Sequence, residues 1–181
     1  LLIFSVSMGV LVYLFMNLSL YHSSIISPII LGSQLAIPFG ILASALIIKE
    51  NISKNKWFLI LTSFIGILII FFDPKLNENY LGLFFASLMA LFFGLAQVYS
   101  RQLKELPTSM INASTGIFGF SVLLILSILF EGNIYKNIEQ INLNSWILIS
   151  YQAVIVSLCA HLLMFYLYKF YTVGQIFPFY S

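Results

Sequence analysis

Residues 1 to 48 contain no Asp, Glu, Lys or Arg. The stretch LIIKENISKNKW, residues 46–57, then places three lysines and one glutamate between Lys49 and Lys56, and another apolar run follows. This alternation continues along the chain. All 14 charged residues fall in 49–56, 73–79, 101–109, 131–145 and 169–181. A water-soluble fold is a poor match, because the chain is 61% hydrophobic and 8% charged, against about 25% charged in soluble domains. A membrane-crossing helix needs about 17–25 apolar residues, and most of the charge-free runs are at or near that size. Residues 1–48 are long enough for two spans, with a break at Tyr21-His22-Ser23-Ser24 and Pro28. The expected fold is an all-α integral membrane protein, a multi-span helical bundle with spans at 1–20, 28–48, 57–72, 80–100, 110–130 and 146–168.

Six spans put alternate loops on opposite sides. One set carries Lys49, Lys54, Lys56, Arg101, Lys104 and Lys169, and the other only Lys75 and Lys136. Lys and Arg concentrate in short cytoplasmic loops, so LIIKENISKNKW is expected inside the cell. The chain starts on Leu1 and ends in QIFPFYS, itself apolar. The expectation is a fragment of a longer protein, with 1–20 an interior span. It has no basic segment or cleavage site of a signal peptide. Cys159 is the one cysteine, which rules out an intramolecular disulfide and offers no metal cluster. A net charge of +2 gives no reason to expect nucleic acid.

Sliding the chain against itself by 150 residues aligns Val6 with Val156, Ser7 with Ser157, Phe15 with Phe165, Tyr21 with Tyr171, Ile26 with Ile176 and Pro28 with Pro178. The Tyr and Pro pairs carry the most weight, because both fall at a break between spans. The first span then corresponds to the sixth. Five spans separate them, an odd number, so the two copies cross in opposite directions. Inverted repeats of this kind are typical of secondary transporters, with the substrate near the midplane between repeats.

IPFGILASALIIKENISKNKWFLILTSFIGILII, residues 37–70, resembles the EamA family of the drug/metabolite transporter superfamily. The residues that carry the likeness are Pro38, Glu50, Trp57 and Gly66. LGLFFASLMALFFGLAQVYSRQL (81–103) resembles the start of the second repeat, ending in Arg101. LCAHLLMFYLYKFYTVGQIFPF (158–179) is similar to that repeat's third helix and the following turn. The resemblance implies two inverted five-helix repeats, incomplete at both ends. Residues 1–72 would close the first repeat with three spans, 73–79 would connect, and 80–181 would open the second. It also implies cytoplasmic termini. Pro28 is an additional proline relative to that pattern.

His161 is the sharpest chemical candidate. An ionisable group inside a span is by default a functional hypothesis, and His with its ordinary pKa of about 6.5 could carry a proton or bind a polar substrate. It lies 15 residues past Trp146, about 22 Å along a helix, in the inner half of the membrane. It is expected to face a cavity between the repeats, near Tyr13. The bland alternative is a neutral His bonded to a neighbouring helix. Tyr13, Asn17, Gln34, Gln97 and Tyr166 complete the candidate substrate-binding set, and Asn112 and Gln152 are further in-span amides. Each competes with a reading as interhelical glue, worth about 0.6 kcal/mol on average. Small residues recur every fourth position at Ala36, Gly40 and Ser44 and at Ala86, Ala90 and Gly94. They are expected to let helices approach closely. Glu50 is expected to pair with Lys49, Lys54 or the start of the next helix.

No Walker A, HExxH, CxxC or GxSxG motif is present. The leading expectation is a secondary active transporter, a permease moving a small polar metabolite such as an amino acid, a drug-like compound or a nucleotide-linked metabolite by alternating access. No cofactor and no enzyme activity are expected. The partners would be that substrate, the lipid bilayer and, as an option, a second copy of the chain in a homodimer. The location would be the cell membrane, with a bacterial inner membrane as the leading compartment. The rival readings are an integral-membrane enzyme, such as an acyl or prenyl transferase, and a structural membrane subunit.

Overall fold

A computed structural model describes residues 1–72, 79–130, 138–139 and 141–179, without the side chains of Pro28 and Ile70. Lys75, Lys136 and most of the 73–79 connection lie outside the described residues. Among those residues the structure is helical and has no strand. The helices are α1 (Leu2–Tyr21), α2 (Ile26–Ser33), α3 (Ala36–Ile47), α4 (Lys54–Phe71), α5 (Tyr80–Gln102), α6 (Thr108–Phe130), α7 (Leu143–Leu167) and the short α8 (Val173–Ile176). Among the described residues, five segments are long and apolar enough to cross a membrane: α1, Ile29–Ile47 across α2 and α3, α5, α6 and α7. The stretch expected as a span at 57–72 is the 18-residue α4, which begins earlier, at Lys54, and is not among those five.

The second span was expected unbroken over 28–48, but it breaks at Gln34 and Leu35. Pro38 explains the break. Its ring has no N–H to donate and collides with the carbonyl four residues earlier, that of Gln34. That carbonyl instead accepts the Ile37 N–H at 3.2 Å, and the Leu35 N–H reaches the Gly32 carbonyl at 3.2 Å. These are tighter, three-residue bonds.

α5 is the centre of the bundle and packs along α1, α2 and α3. Its small residues make this geometry available. A Cβ on Gly94 would lie 2.6 Å from the Gly40 nitrogen and 2.9 Å from the Ala36 carbonyl oxygen. The two small-residue stripes therefore meet backbone to backbone. Phe177 closes the same crossing, since a Cβ on Gly40 would lie 2.7 Å from its ring, and the ring packs edge-on against Phe93.

Polar contacts tie both ends of this block. At one end, Asn79 Oδ1 accepts from Ser23 Oγ at 2.7 Å, the Ser24 N–H at 2.8 Å and the Ile25 N–H at 3.3 Å. The turn between α1 and α2 is thereby held to the start of α5. At the other end, Arg101 Nε meets Glu50 Oε1 at 3.0 Å. This corrects the expectation for Glu50, whose partner comes from α5 rather than its own loop. Local geometry aims it there. Lys49 takes the left-handed conformation with φ 57°, which ends α3, and the Glu50 N–H turns back to the Ser44 carbonyl at 3.2 Å. Lys56 Nζ donates to the Gly174 carbonyl at 3.1 Å. The basic loops thus gather at one end of the bundle.

Candidate functional site

α1 and α7 are not uniform α-helices. Ser7–Leu11 in α1 and Gln152–Ala160 in α7 are π-helical. A π stretch widens the helix and recurs at functional sites. Both stretches border one cavity of about 310 Å³ between α1, α6 and α7. Its polar wall is Tyr13 from α1, Asn112 and Thr115 from α6, and Ser157 and His161 from α7. Met8, Phe120, Leu123 and Phe165 supply apolar surface.

Close approach brings the three helices together on the α1–α6 side. A Cβ on Gly9 would sit 2.5 Å from the Thr115 carbonyl oxygen, and one on Gly119 would sit 2.6 Å from the Gly9 carbonyl oxygen. α7 is joined to α6 by Asn112, whose Nδ2 donates to the Ser157 carbonyl at 3.2 Å. His161 is buried, with 8% of its surface exposed. Its Nδ1 lies 2.9 Å from the Val156 carbonyl, at the five-residue offset that defines a π turn. A carbonyl only accepts, so Nδ1 carries the hydrogen and Nε2 is the acceptor of the neutral ring. A neutral imidazole can take up a proton.

The six predicted site residues separate into groups. Tyr13 and His161 share the cavity wall. Gln34 borders a different cavity of about 350 Å³ beside the helix break, with Pro38, Ser63 and Gly66. Gln97 is fully buried in the α5 block, where its Oε1 accepts from Tyr168 Oη at 3.0 Å and its Nε2 has no hydrogen-bond partner among the described residues. Asn17 is exposed and donates to the Tyr13 backbone carbonyl at 2.9 Å. Tyr166 is 52% exposed, packs edge-on against Phe170, and is not part of the cavity wall. Thr115 and Ser157 were not selected from the sequence, and Asn112 was weighed there only as a further in-span amide. The signal was their helical spacing, three residues from Asn112 to Thr115 and four from Ser157 to His161, which puts each pair on one face.

Among the described residues no group of three His, Cys, Asp or Glu side chains is placed to hold a metal ion. No family model, curated protein or solved structure matches the chain.

Proposed function

We propose that the chain belongs to a secondary transporter, an EamA-like permease that moves a small polar metabolite across the cell membrane by alternating access. The observation that carries this reading is the cavity between α1, α6 and α7. At about 310 Å³ it is within the range of small-molecule sites, about 300–1,000 Å³, and its polar groups lie on helices that the 150-residue offset assigns to different repeats. The π stretches support the same pairing. Shifted by 150, Ser7–Leu11 becomes 157–161, which overlaps Gln152–Ala160. In this reading the basic end of the bundle faces the cytoplasm.

The test is flux. The full-length protein in sealed vesicles is assayed for uptake and efflux of a metabolite panel, with and without a proton gradient. Saturable transport that falls at least tenfold in a Gly116→Leu protein of normal yield is the expected result, since Gly116 lines the cavity and a Cβ there meets nothing within 4 Å. The absence of saturable flux in both directions would sink the reading. If His161 carries protons, His161→Gln removes the pH dependence of transport and spares the fold.

A structural membrane subunit is the second reading. The exposure of Asn17, Gln34 and Tyr166 favours it, because interhelical or site residues are expected to be covered. A cavity that binds nothing and a protein that moves nothing would be its signature.

A further inference from the structure

A groove sets α4 off from α2 and α3. It consists of two adjoining cavities, about 350 and 190 Å³, that share Ile37, Pro38 and Ser63. Its α4 wall runs from Lys56 through Ile60 and Ser63 to Gly66, where a Cβ would meet nothing within 4 Å. Lys56 and Gly66 are 10 residues apart, about 15 Å at 1.5 Å per residue. One leaflet's share of a hydrocarbon core about 30 Å thick is the same length.

The chemistry of the groove is graded along that length. Lys56, at its head, is the charged residue of the lining. Its ammonium spends one hydrogen on the Gly174 carbonyl at 3.1 Å and has two more to give. Among the described residues no carboxylate pairs with it. Trp57, next in sequence, is 43% exposed, and exposed Trp is enriched at the level of lipid headgroups. Deeper in, the walls are mostly aliphatic. Their other polar side chains are Gln34 and Ser63, and the Ser63 hydroxyl is spent on the Leu59 carbonyl at 2.8 Å. The surrounding end of the bundle carries Lys49, Lys54, Lys56, Arg101, Lys104 and Lys169 against Glu50 and Glu105. Such a basic cluster at a membrane surface attracts anionic lipid, and basic pockets between spans hold acidic headgroups.

We propose that this groove is a binding site for one anionic phospholipid from the leaflet at the basic end. The phosphate meets the Lys56 ammonium, and an acyl chain lies between α4 and α3 as far as Gly66. The proposal goes beyond the transporter reading and does not depend on it, since a structural subunit could hold the same lipid.

Native mass spectrometry of the full-length protein, released from detergent with added lipid, tests this. The probes are dioleoylphosphatidylglycerol and dioleoylphosphatidylcholine, which have the same chains and differ in net charge. One phosphatidylglycerol is expected to bind about fivefold or more tightly than phosphatidylcholine. Lys56→Gln should bring it down to the phosphatidylcholine level. Gly66→Leu fills the groove in a place with room for a side chain, so both lipids should weaken about fivefold or more in a protein of normal yield. Lys104→Gln is the control. It removes a charge from the same end but is not part of the groove wall, so both affinities should stay as they were. Equal binding of the two lipids, a preference that survives Lys56→Gln, or a Gly66→Leu protein that binds like the parent would each overturn the proposal. A groove filled by protein, from the same chain or a second copy, would retain neither lipid, and that result would overturn it as well.

Discussion

α5 and α6 are both 23 residues long, with mean hydropathies of 2.0 and 2.2, yet half of the α5 span is buried against 6% of α6. α7, at 2.0, is 11% buried. Apolar content therefore does not decide which helix is packed. In lipid the hydrophobic effect gives helices no reason to prefer one another over acyl chains, and close backbone approach takes its place. α5 has Gly82, Ala86, Ala90 and Gly94 buried along one side. In α6 only Gly119 makes such a crossing, and a Cβ on Gly116 would meet nothing within 4 Å. The chain thus divides into a tight block around α5 and an open pair, α6 and α7. The cavity occupies the boundary, with α1 as the shared wall.

The sharpest way to break this comparison is to make the same substitution in both parts. Gly94→Leu drives a side chain into the backbone of α3 and should abolish folding or cost more than about 3 kcal/mol. Gly116→Leu should change stability by less than about 0.5 kcal/mol. Thermal unfolding in one detergent checks both, and equal losses would show that the block is no tighter than the pair. Next in size is Asn79→Leu. It strips the acceptor from the Ser23–Ile25 turn and should cost about 1–3 kcal/mol. A loss near zero would mean the block does not depend on that tie. The Glu50–Arg101 pair is smaller, since both side chains are partly exposed, 16% and 24%. A double-mutant cycle with Glu50→Gln and Arg101→Gln should give a coupling of about 0.5–1 kcal/mol. Additive losses would remove the pair from the account of what holds the basic end. The smallest effect is Gly116→Ala, expected within about 0.5 kcal/mol of the parent.

Where the sequence could be read, the physics was local. Grouped charges mark the span ends, because a charge is expensive in lipid. The stripes at Ala36, Gly40 and Ser44 and at Ala86, Ala90 and Gly94 follow from helical spacing, and Gly40 and Gly94 do face each other. Depth along the helix was enough to relate His161 to Tyr13 across two helices. What stayed hidden depended on distant partners or on small departures from α geometry. Glu50 had lysines close in sequence, yet it pairs with Arg101, 51 positions away. Pro38 carries the signal for the break at Gln34, inside the expected span 28–48, whereas the break expected at 21–24 is where α1 gives way to α2. Tyr166 shares α7 with His161 and faces outward, because five residues of helix turn a side chain to a different face.

The π stretch in α7 also sets a phase. Each α-helical residue advances the side-chain direction by about 100°, and a turn that takes in an extra residue offsets everything beyond it. The faces of α7 before Gln152 and after Ala160 are out of step by that offset. Deleting one residue inside the stretch would let the helix relax to regular α winding and rotate Trp146 and its neighbours relative to His161. The chain can therefore re-aim the N-terminal part of α7 by a single-codon deletion, with Met164, Phe165 and Tyr168 still seated in the core.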